Sequence, residues 1–517
     1  MSDDIILTID NGTQSVRALA FDPSGNLRGK SQVKLDGYTS PENGWMEHDV
    51  DGFWTAICEV CQGLWNQGDI SPEQVRGLVI TTQRATVINL DAERKPLRPA
   101  IIWPDKRRAK PTGKLSFKWK TLFRLLGITE TIDTYEQEAE SNWIAQNQPE
   151  IWDKTDKFLL LSGYLNYRFT GKCVDAVANQ VGFIPFDYKK QDWCGDGDWK
   201  WPALSVKREQ LPELAQSGEV VGTVTSAAAE DTGIPADIPV IAGASDKACE
   251  VLGCAAVIPD VGAISCGTTA TINMTTPKYV EPMPFIPPYP AAMPGAYNAE
   301  VQVTRGFWMV SWFAEEFGLA EQQLAESDGS TTEAYFDRLI ESTNAGADGL
   351  MLQPYWNPGV RIPGPEARGS VIGFTEAHSR AHLYRAIIEG LAYALRDGKE
   401  RLEKRSGTKM KRLAVAGGGS QSDAVMQIIA DVFNLPAERP ALYEASGLGA
   451  AIIGSVALKM HDDMDCATKA MTRIGKVFEP NPENAKLYDR LYMEIYAKLY
   501  DRMKPIYDTM KDMKSEV

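Results

Sequence analysis

Asp10-Asn11-Gly12-Thr13-Gln14-Ser15 interrupts two apolar runs, Ile5-Ile6-Leu7 before it and Val16 to Phe21 after it. Midway along the chain, Ser265-Cys266-Gly267-Thr268-Thr269 interrupts Val261 to Ile264 and Ala270 to Met274 in the same way. A glycine-hydroxyl turn between two β-like runs predicts a β-hairpin. Glycine lets backbone N–H groups turn toward an anion with no Cβ in the way, and the flanking Thr and Ser hydroxyls add donors. Each tip therefore reads as a phosphate grip, and two of them, one per half, predict a nucleotide clamped between two domains.

The rest of the chain agrees with that division. At 517 residues it exceeds what one core supports, since single cores stop growing at roughly 250–300 residues. The expected parts are an N-terminal unit over 1–255, carrying the acceptor site and the first hairpin, and a nucleotide-binding unit over 256–517. Strand-like Ile5–Ile9, Leu78–Thr82 and Pro239–Ala242 alternate with helical stretches such as Asp51–Trp65, which is an α/β pattern. Tyr188 to Trp201 reads as a wet surface loop. Pro282 to Pro294 reads as an extended surface loop, because proline lacks the backbone donor and holds φ. Helices are expected over His378 to Arg396, with Leu383, Ile387, Leu391 and Leu395 on one stripe, and over Ser422 to Phe433. A long amphipathic helix is expected over Pro482 to Met503, with Leu487, Leu491, Ile495 and Leu499 facing the core.

Composition excludes some functions. The net charge of −15 and pI near 5.0 argue against nucleic acid, which needs a basic footprint, and favour a neutral substrate. No long uncharged apolar run suggests a membrane span, and the start Met1-Ser2-Asp3-Asp4 carries acid where a signal peptide carries base, so a cytoplasmic protein is expected. The eight cysteines lack zinc-ligand spacing; Cys58 and Cys61 have no second pair, which predicts free thiols. The absence of long heptads speaks against a coiled-coil assembly and leaves a homodimer open.

Two common nucleotide-binding signatures, Gly-x-x-x-x-Gly-Lys-Ser/Thr and a strand-bound Gly-x-Gly-x-x-Gly with a distal acid, are absent. The arrangement present is a pair of phosphate hairpins followed by a third glycine turn. Leu413-Ala414-Val415-Ala416 runs into Gly417-Gly418-Gly419-Ser420 and then the helix at Ser422, whose dipole and glycine backbone admit a nucleotide closely.

The ordered set is specific. Asp10-x-Gly12-Thr13-x-Ser15-x-Arg17, Trp103-x-Asp105, Gly243-x-x-Asp246, Cys266-Gly267-Thr268-Thr269, Ala367-Arg368-Gly369 and Gly417-Gly418-Gly419 follow one another along the chain. In that order they resemble the FGGY family of carbohydrate kinases, with further support from Pro149-Glu150-Ile151-Trp152 and from Glu444 to Ala451. The resemblance implies an α/β protein of two actin-like ATPase (ribonuclease H-like) domains with a catalytic cleft between them. It implies transfer of the γ-phosphoryl group of ATP, with Mg2+, to a hydroxyl of a small sugar or polyol.

Residue by residue, the resemblance makes Asp246 the catalytic base and an acceptor contact, and Asp10 the metal-side carboxylate with Asp246 opposite. Gly12, Thr13, Gln14, Gly267, Thr268, Gly417, Gly418, Gly419 and Ser422 would line the nucleotide. Arg17 would approach the γ-phosphate or tie two strands together. Arg84, Trp103 and Asp105 would bind the acceptor, with packing in the core as the other reading of Trp103.

Three features bear on the details. Thr82-Gln83-Arg84-Ala85-Thr86 has Ala85 where glycerol kinases carry the polyol-contacting glutamate, which weakens glycerol as the acceptor, and the Met-His of xylulokinases is missing there too. Phe307 and Ser311 stand where glycerol kinases place a glycine and a glutamine near the nucleotide. His378 and His382 share a helix face but lack a third metal ligand, so they read as a surface pair. The rival from another functional class is a non-catalytic ATP- or sugar-binding regulator, or a chaperone-like ATPase, of the same fold. Retention of both Asp10 and Asp246 speaks against it.

Overall fold

Ile5–Asn11 (β1) and Ser15–Phe21 (β2) pair antiparallel about the first tip, with Asp10 directly opposite Arg17. They belong to a computed structural model that describes residues 4–357, 359 and 362–514, so residues 1–3 of the acidic start lie outside the described residues. Leu27–Lys34 (β3) continues the meander beyond β2, and Val75–Thr82 (β4) runs parallel to β1 on its other side. Val220–Thr223 (β5) and Pro239–Ile241 (β6) complete a six-stranded sheet in the order β5-β6-β4-β1-β2-β3. Strands β1 and β4 are almost wholly buried, as their continuous apolar runs require of strands covered on both faces. Val50–Trp65 (α1) buries Phe53, Ile57, Val60 and Leu64 against one face; Asp246–Gly253 (α2) follows directly from β6.

The second half repeats the plan. Val261–Cys266 (β7), Ala270–Thr276 (β8), Tyr289–Pro290 (β9), Tyr297–Val303 (β10), Arg412–Ala416 (β11), Ala437–Pro440 (β12) and Ile474–Phe478 (β13) form a seven-stranded sheet ordered β9-β10-β8-β7-β11-β12-β13. An antiparallel meander β7-β8-β10 beside a parallel strand β11 matches β1-β2-β3 beside β4. The recurrence of one turn type in the sequence is thus the surface of a repeated sheet topology.

Arg380–Ser406 (α3), Asp423–Phe433 (α4) and Ala445–Ala457 (α5) follow. Helix α5 seats on the first sheet: Leu448, Ala451 and Ile452 share one cluster with Ile6, Leu19, Val79 and Ile241. A Cβ on Gly449 would stand 1.9 Å from the Cys249 carbonyl oxygen, and one on Gly253 would stand 2.0 Å from that of Ala445. Helices α2 and α5 therefore cross in backbone contact, which couples the helix that opens at Asp246 to the second half.

Four sequence expectations need correction. Tyr188 to Trp201 is not simply a wet loop: Phe186–Asp187 pairs with Asp192–Trp193, Tyr188 is buried in a satellite core, and Cys194 is buried too. The proline-rich segment contains the edge strand β9, where the missing N–H of Pro290 costs little. The helix expected from His378 begins at Arg380, with Ser379 as its cap, and runs on to Ser406. The C-terminal stretch is Pro482–Leu491 (α6), a π turn over Tyr492–Tyr496, and Ala497–Lys514 (α7). Its buried stripe is Tyr488, Tyr492, Tyr496 and Leu499, while Leu487 and Ile495 are exposed. Of the expected stripe Leu499 is buried and Leu491 packs against the core, while the tyrosines one residue along take the rest, since their rings bury more area than the leucines.

Candidate active site

Three neighbouring parallel strands end together. β1 ends at Asn11 and β4 at Thr82, where Gln83 N–H donates to the Asn11 carbonyl (2.9 Å), and Thr82 bridges to Ser245 beyond β6. Asp10, the Arg84 turn and Asp246 therefore meet at one sheet edge, the place where α/β folds present reactive groups. Facing them, β7 ends at Cys266 and β11 at Ala416, in register, so the tips at Gly267 and Gly417 are neighbours.

Asp246 opens α2 after Ser245, and its Oδ1 accepts the Lys247 backbone N–H (2.7 Å). Burial raises its pKa, while Lys247 and Arg84 pull it down. A carboxyl held above its ordinary range beside two cations suits a general base. Asp10 is pushed up to about 6, chiefly by burial, with Arg17 opposing and the charges of Asp246 and Glu444 adding to the rise.

Arg17 Nη1 donates to Asp10 Oδ2 (3.0 Å), and its Nε lies 3.6 Å from Glu444 Oε2. Lys30 also binds Glu444. Arg17 thus ties its own strand to Asp10 on β1 and also approaches a carboxylate of the second half. Glu444 entered the sequence analysis only as part of a collinear motif, because nothing local marks it as the partner of Arg17.

Asp10 also fits a hydrated magnesium ion. The charge of Asp246 across the cleft adds to the proton affinity of Asp10, and Asn11 Oδ1, Asn11 Nδ2 and Arg17 Nε are buried without a hydrogen-bond partner among the described residues. No group of three or more His, Cys, Asp or Glu converges at metal spacing among the described residues. That suits magnesium, which takes one or two carboxylates and completes its shell with water and phosphate.

The three tips are built for approach. Gly417 has φ +85°, and a Cβ there would stand 2.8–3.0 Å from Cys266 backbone atoms, so backbone geometry alone demands glycine. Gly12, Gly267 and Gly418 differ: a Cβ on any of them would meet nothing closer than 3.4 Å. Packing does not require glycine at those three positions, and the open space at each tip suits a close ligand. Thr13 accepts Trp103 Nε1–H at its hydroxyl (2.8 Å) and the Tyr38 hydroxyl at its carbonyl. Gln14 and Thr268 are exposed at the two apices. Ser422 is committed elsewhere: it caps α4 by accepting Val425 N–H (3.0 Å) and donates to Asp337 (2.5 Å). Phe307 and Ser311 separate as well, since Phe307 packs under Gly419 whereas Ser311 faces solvent.

On the acceptor side, Trp103 is 38% exposed and lies over the first tip, so it is not a core residue. Arg84 forms a two-pronged pair with Glu300 of β10 (2.9 and 3.3 Å) and lies over the Tyr289 ring (5.1 Å). The proline-rich segment thus supplies a wall of this site. The neighbouring Ala85 has φ +55°, a strained conformation for a residue with a Cβ.

Asp105 is a correction. Its Oδ1 accepts Arg107 N–H and Nε–H (both 2.8 Å), and its Oδ2 accepts Arg107 Nη2–H (2.8 Å) and Met46 N–H (2.5 Å). Four donors fill the roughly four acceptor sites of a carboxylate, so Asp105 holds the Trp103 loop instead of meeting a hydroxyl. Lys247, which no local pattern marks, reaches the second tip.

His378 precedes α3 and His382 lies in its first turn, so the two share no helix face, although their rings meet edge to face. Their Nδ1 atoms accept from Thr375 and Ser379, and His382 Nε2 contacts Asp348 (3.1 Å), so both rings serve the helix start.

Comparison with known proteins agrees with this geometry. The N-terminal domain model of the FGGY carbohydrate kinases matches residues 5–253, and the C-terminal domain model matches residues 262–458. The chain is 29% identical to the xylulose kinase of Lactococcus lactis, covering 99% of both chains. It is 28% identical to the glycerol kinase of Thermococcus gammatolerans, covering 93% of this chain and 95% of that one. The ligand-bound xylulose kinase of Lactobacillus acidophilus has the same fold, with a TM-score of 0.82 at 23% identity over 98% of this chain and 100% of the other. With both domain models matched and the paired phosphate tips and cleft carboxylates in place, the chain belongs to the FGGY family of carbohydrate kinases and is an ATP-dependent phosphotransferase acting on a sugar or polyol hydroxyl.

Proposed function

We propose that a neutral sugar or polyol binds between Arg84, Trp103 and Tyr289, with one hydroxyl at Asp246 and the γ-phosphate of ATP opposite. The observation that carries this reading is the meeting of Asp246, Asp10 and the Gly267 tip at one cleft, built from the ends of both sheets. Asp246 accepts the hydroxyl proton as the acceptor oxygen bonds to the γ-phosphorus. The bond to the β–γ bridging oxygen breaks, and its electron pair stays with ADP. Asp10, with Asp246 opposite, would hold a hydrated magnesium ion, which would supply charge neutralisation to the phosphates.

Backbone N–H groups at Thr13, Gly267, Thr268, Gly417, Gly418 and Gly419 hold the nucleotide, while Gly12, whose own N–H donates to the Ser15 carbonyl (3.1 Å), leaves room for its approach. Arg17 positions Asp10. Water is excluded when the halves close, which prevents hydrolysis from competing. We assign the domains to 1–255 and 256–517.

Ala85 in place of an acidic contact argues for an acceptor other than glycerol. We further propose a cytoplasmic setting, which the eight unpaired thiols support, with no nucleic-acid partner and with a homodimer left open. No helix among the described residues is long and apolar enough to cross a membrane.

A coupled ADP assay across polyols, ketoses and sugar acids tests the acceptor class, and Asp246→Asn tests the base. Loss of about 10²–10⁴-fold in kcat is expected for that variant, with ADP affinity retained. Near wild-type turnover would overturn the assignment.

A further inference from the structure

Lys247 is the second residue of α2, beside the base, yet its ammonium ends at the second half of the molecule. Nζ donates to Ser265 Oγ on β7 (2.5 Å), lies 3.5 Å from Glu250 Oε1, and would be 3.8 Å from a Cβ on Gly267. Its side chain is 21% exposed. A lysine serving only as an i,i+3 partner of Glu250 would keep its head in water and approach that carboxylate within hydrogen-bond distance. Lys247 does neither, and its one short contact is to a neutral hydroxyl. An ammonium has three protons. Ser265 takes one, and the Gly267 tip, where phosphate oxygens would sit, adjoins the rest. Arg84 is aimed elsewhere, with both prongs of its guanidinium on Glu300 and its face over Tyr289.

We infer that Lys247 Nζ contacts the transferring γ-phosphoryl group, with Ser265 as the anchor that aims it from α2 across to the Gly267 tip. The inference rests on the kinase reading above. As the acceptor oxygen bonds to phosphorus and the β–γ bridging oxygen leaves with its electron pair, negative charge gathers on the phosphoryl oxygens, and a fixed cation there stabilises it.

The test compares ADP, which lacks the γ-phosphate, with the non-hydrolysable analogue adenylyl imidodiphosphate, by calorimetry on the full-length enzyme with magnesium. Lys247→Gln is expected to leave ADP affinity within about twofold, to weaken the analogue by about tenfold or more, and to lower kcat by roughly 10²–10³-fold. Lys247→Arg is expected to recover part of both losses. Ser265→Ala, which keeps the charge, is expected to show the same selectivity for the analogue at smaller size. It decides the matter if Lys247→Gln fails to bind ADP at all.

Equal weakening of both nucleotides would overturn the inference, as would a raised acceptor KM with kcat and analogue affinity intact. Failure of the wild-type enzyme to release ADP with any acceptor would instead overturn the kinase reading, while the nucleotide comparison would still judge Lys247.

Discussion

Asp246 and Asp10 are both carboxylates at a sheet edge, yet their neighbours set different tasks. Asp246 is flanked by Lys247 and Arg84, which draw down a pKa that burial raises. Asp10 is tied by Arg17 and meets the charge of two further carboxylates. Glu140 shows what happens to a carboxyl without such help: burial pushes it up to about 8, with Asp105 and Glu138 adding to the rise and Arg107 opposing it. Because its folded pKa lies above its unfolded value of about 4.5, the folded state binds the extra proton. Its contribution is therefore fully present below pH 4.5 and is lost as pH rises toward 8. Glu140→Gln should match wild type in thermal unfolding near pH 4.5 and exceed it near pH 8, by about 1–3 kcal/mol. An equal gap at both pH values would show that Glu140 is ionised throughout.

Among the elements, the glycine tip after β11 separates two requirements that look alike in the sequence. Gly417 needs its positive φ and its approach to Cys266, whereas Gly418 has room for a methyl group. Gly417→Ala should lower unfolding free energy by about 1–3 kcal/mol. Gly418→Ala should stay within about 0.5 kcal/mol of wild type and yet weaken ATP, measured by calorimetry. If Gly418→Ala bound ATP normally, the tip would be a connector only. The C-terminal helices make a related point, since the Leu487 to Leu499 periodicity was real but the tyrosine stripe beside it took the core. Spacing identifies a helix; which of two competing faces is buried depends on what it packs against.

Across the whole molecule, the halves are joined by ion pairs that no local pattern announces: Arg84 to Glu300, and Arg17 and Lys30 to Glu444. Breaking a buried pair by removing one partner costs about 3–5 kcal/mol, and for Arg84 and Glu300 that cost falls on closure, because the partners sit on different sheets. Glu300→Ala should therefore raise the acceptor KM by about tenfold or more and leave a larger radius of gyration by small-angle scattering with ligands bound. Glu300→Gln, which keeps an acceptor oxygen, should lose less. Unchanged KM and scattering in both variants would show that the pair does not hold the cleft.

Short-range physics makes some features legible from residue order alone: two hairpins with glycine-hydroxyl tips, the strand into Gly417-Gly418-Gly419, and the order of motifs that identifies the kinase family. These are matters of φ, strand period and side-chain type over a few residues. Only the tertiary structure decided that Asp105 is filled by Arg107 and Met46, that Ser422 is spent on a cap, that Trp103 leaves the core, and that Lys247 and Glu444 belong to the cleft. Several of those outcomes rest on pairings between residues far apart in the chain. Which donor reaches which carboxylate is settled when folding removes water and leaves each buried polar group to find its partner.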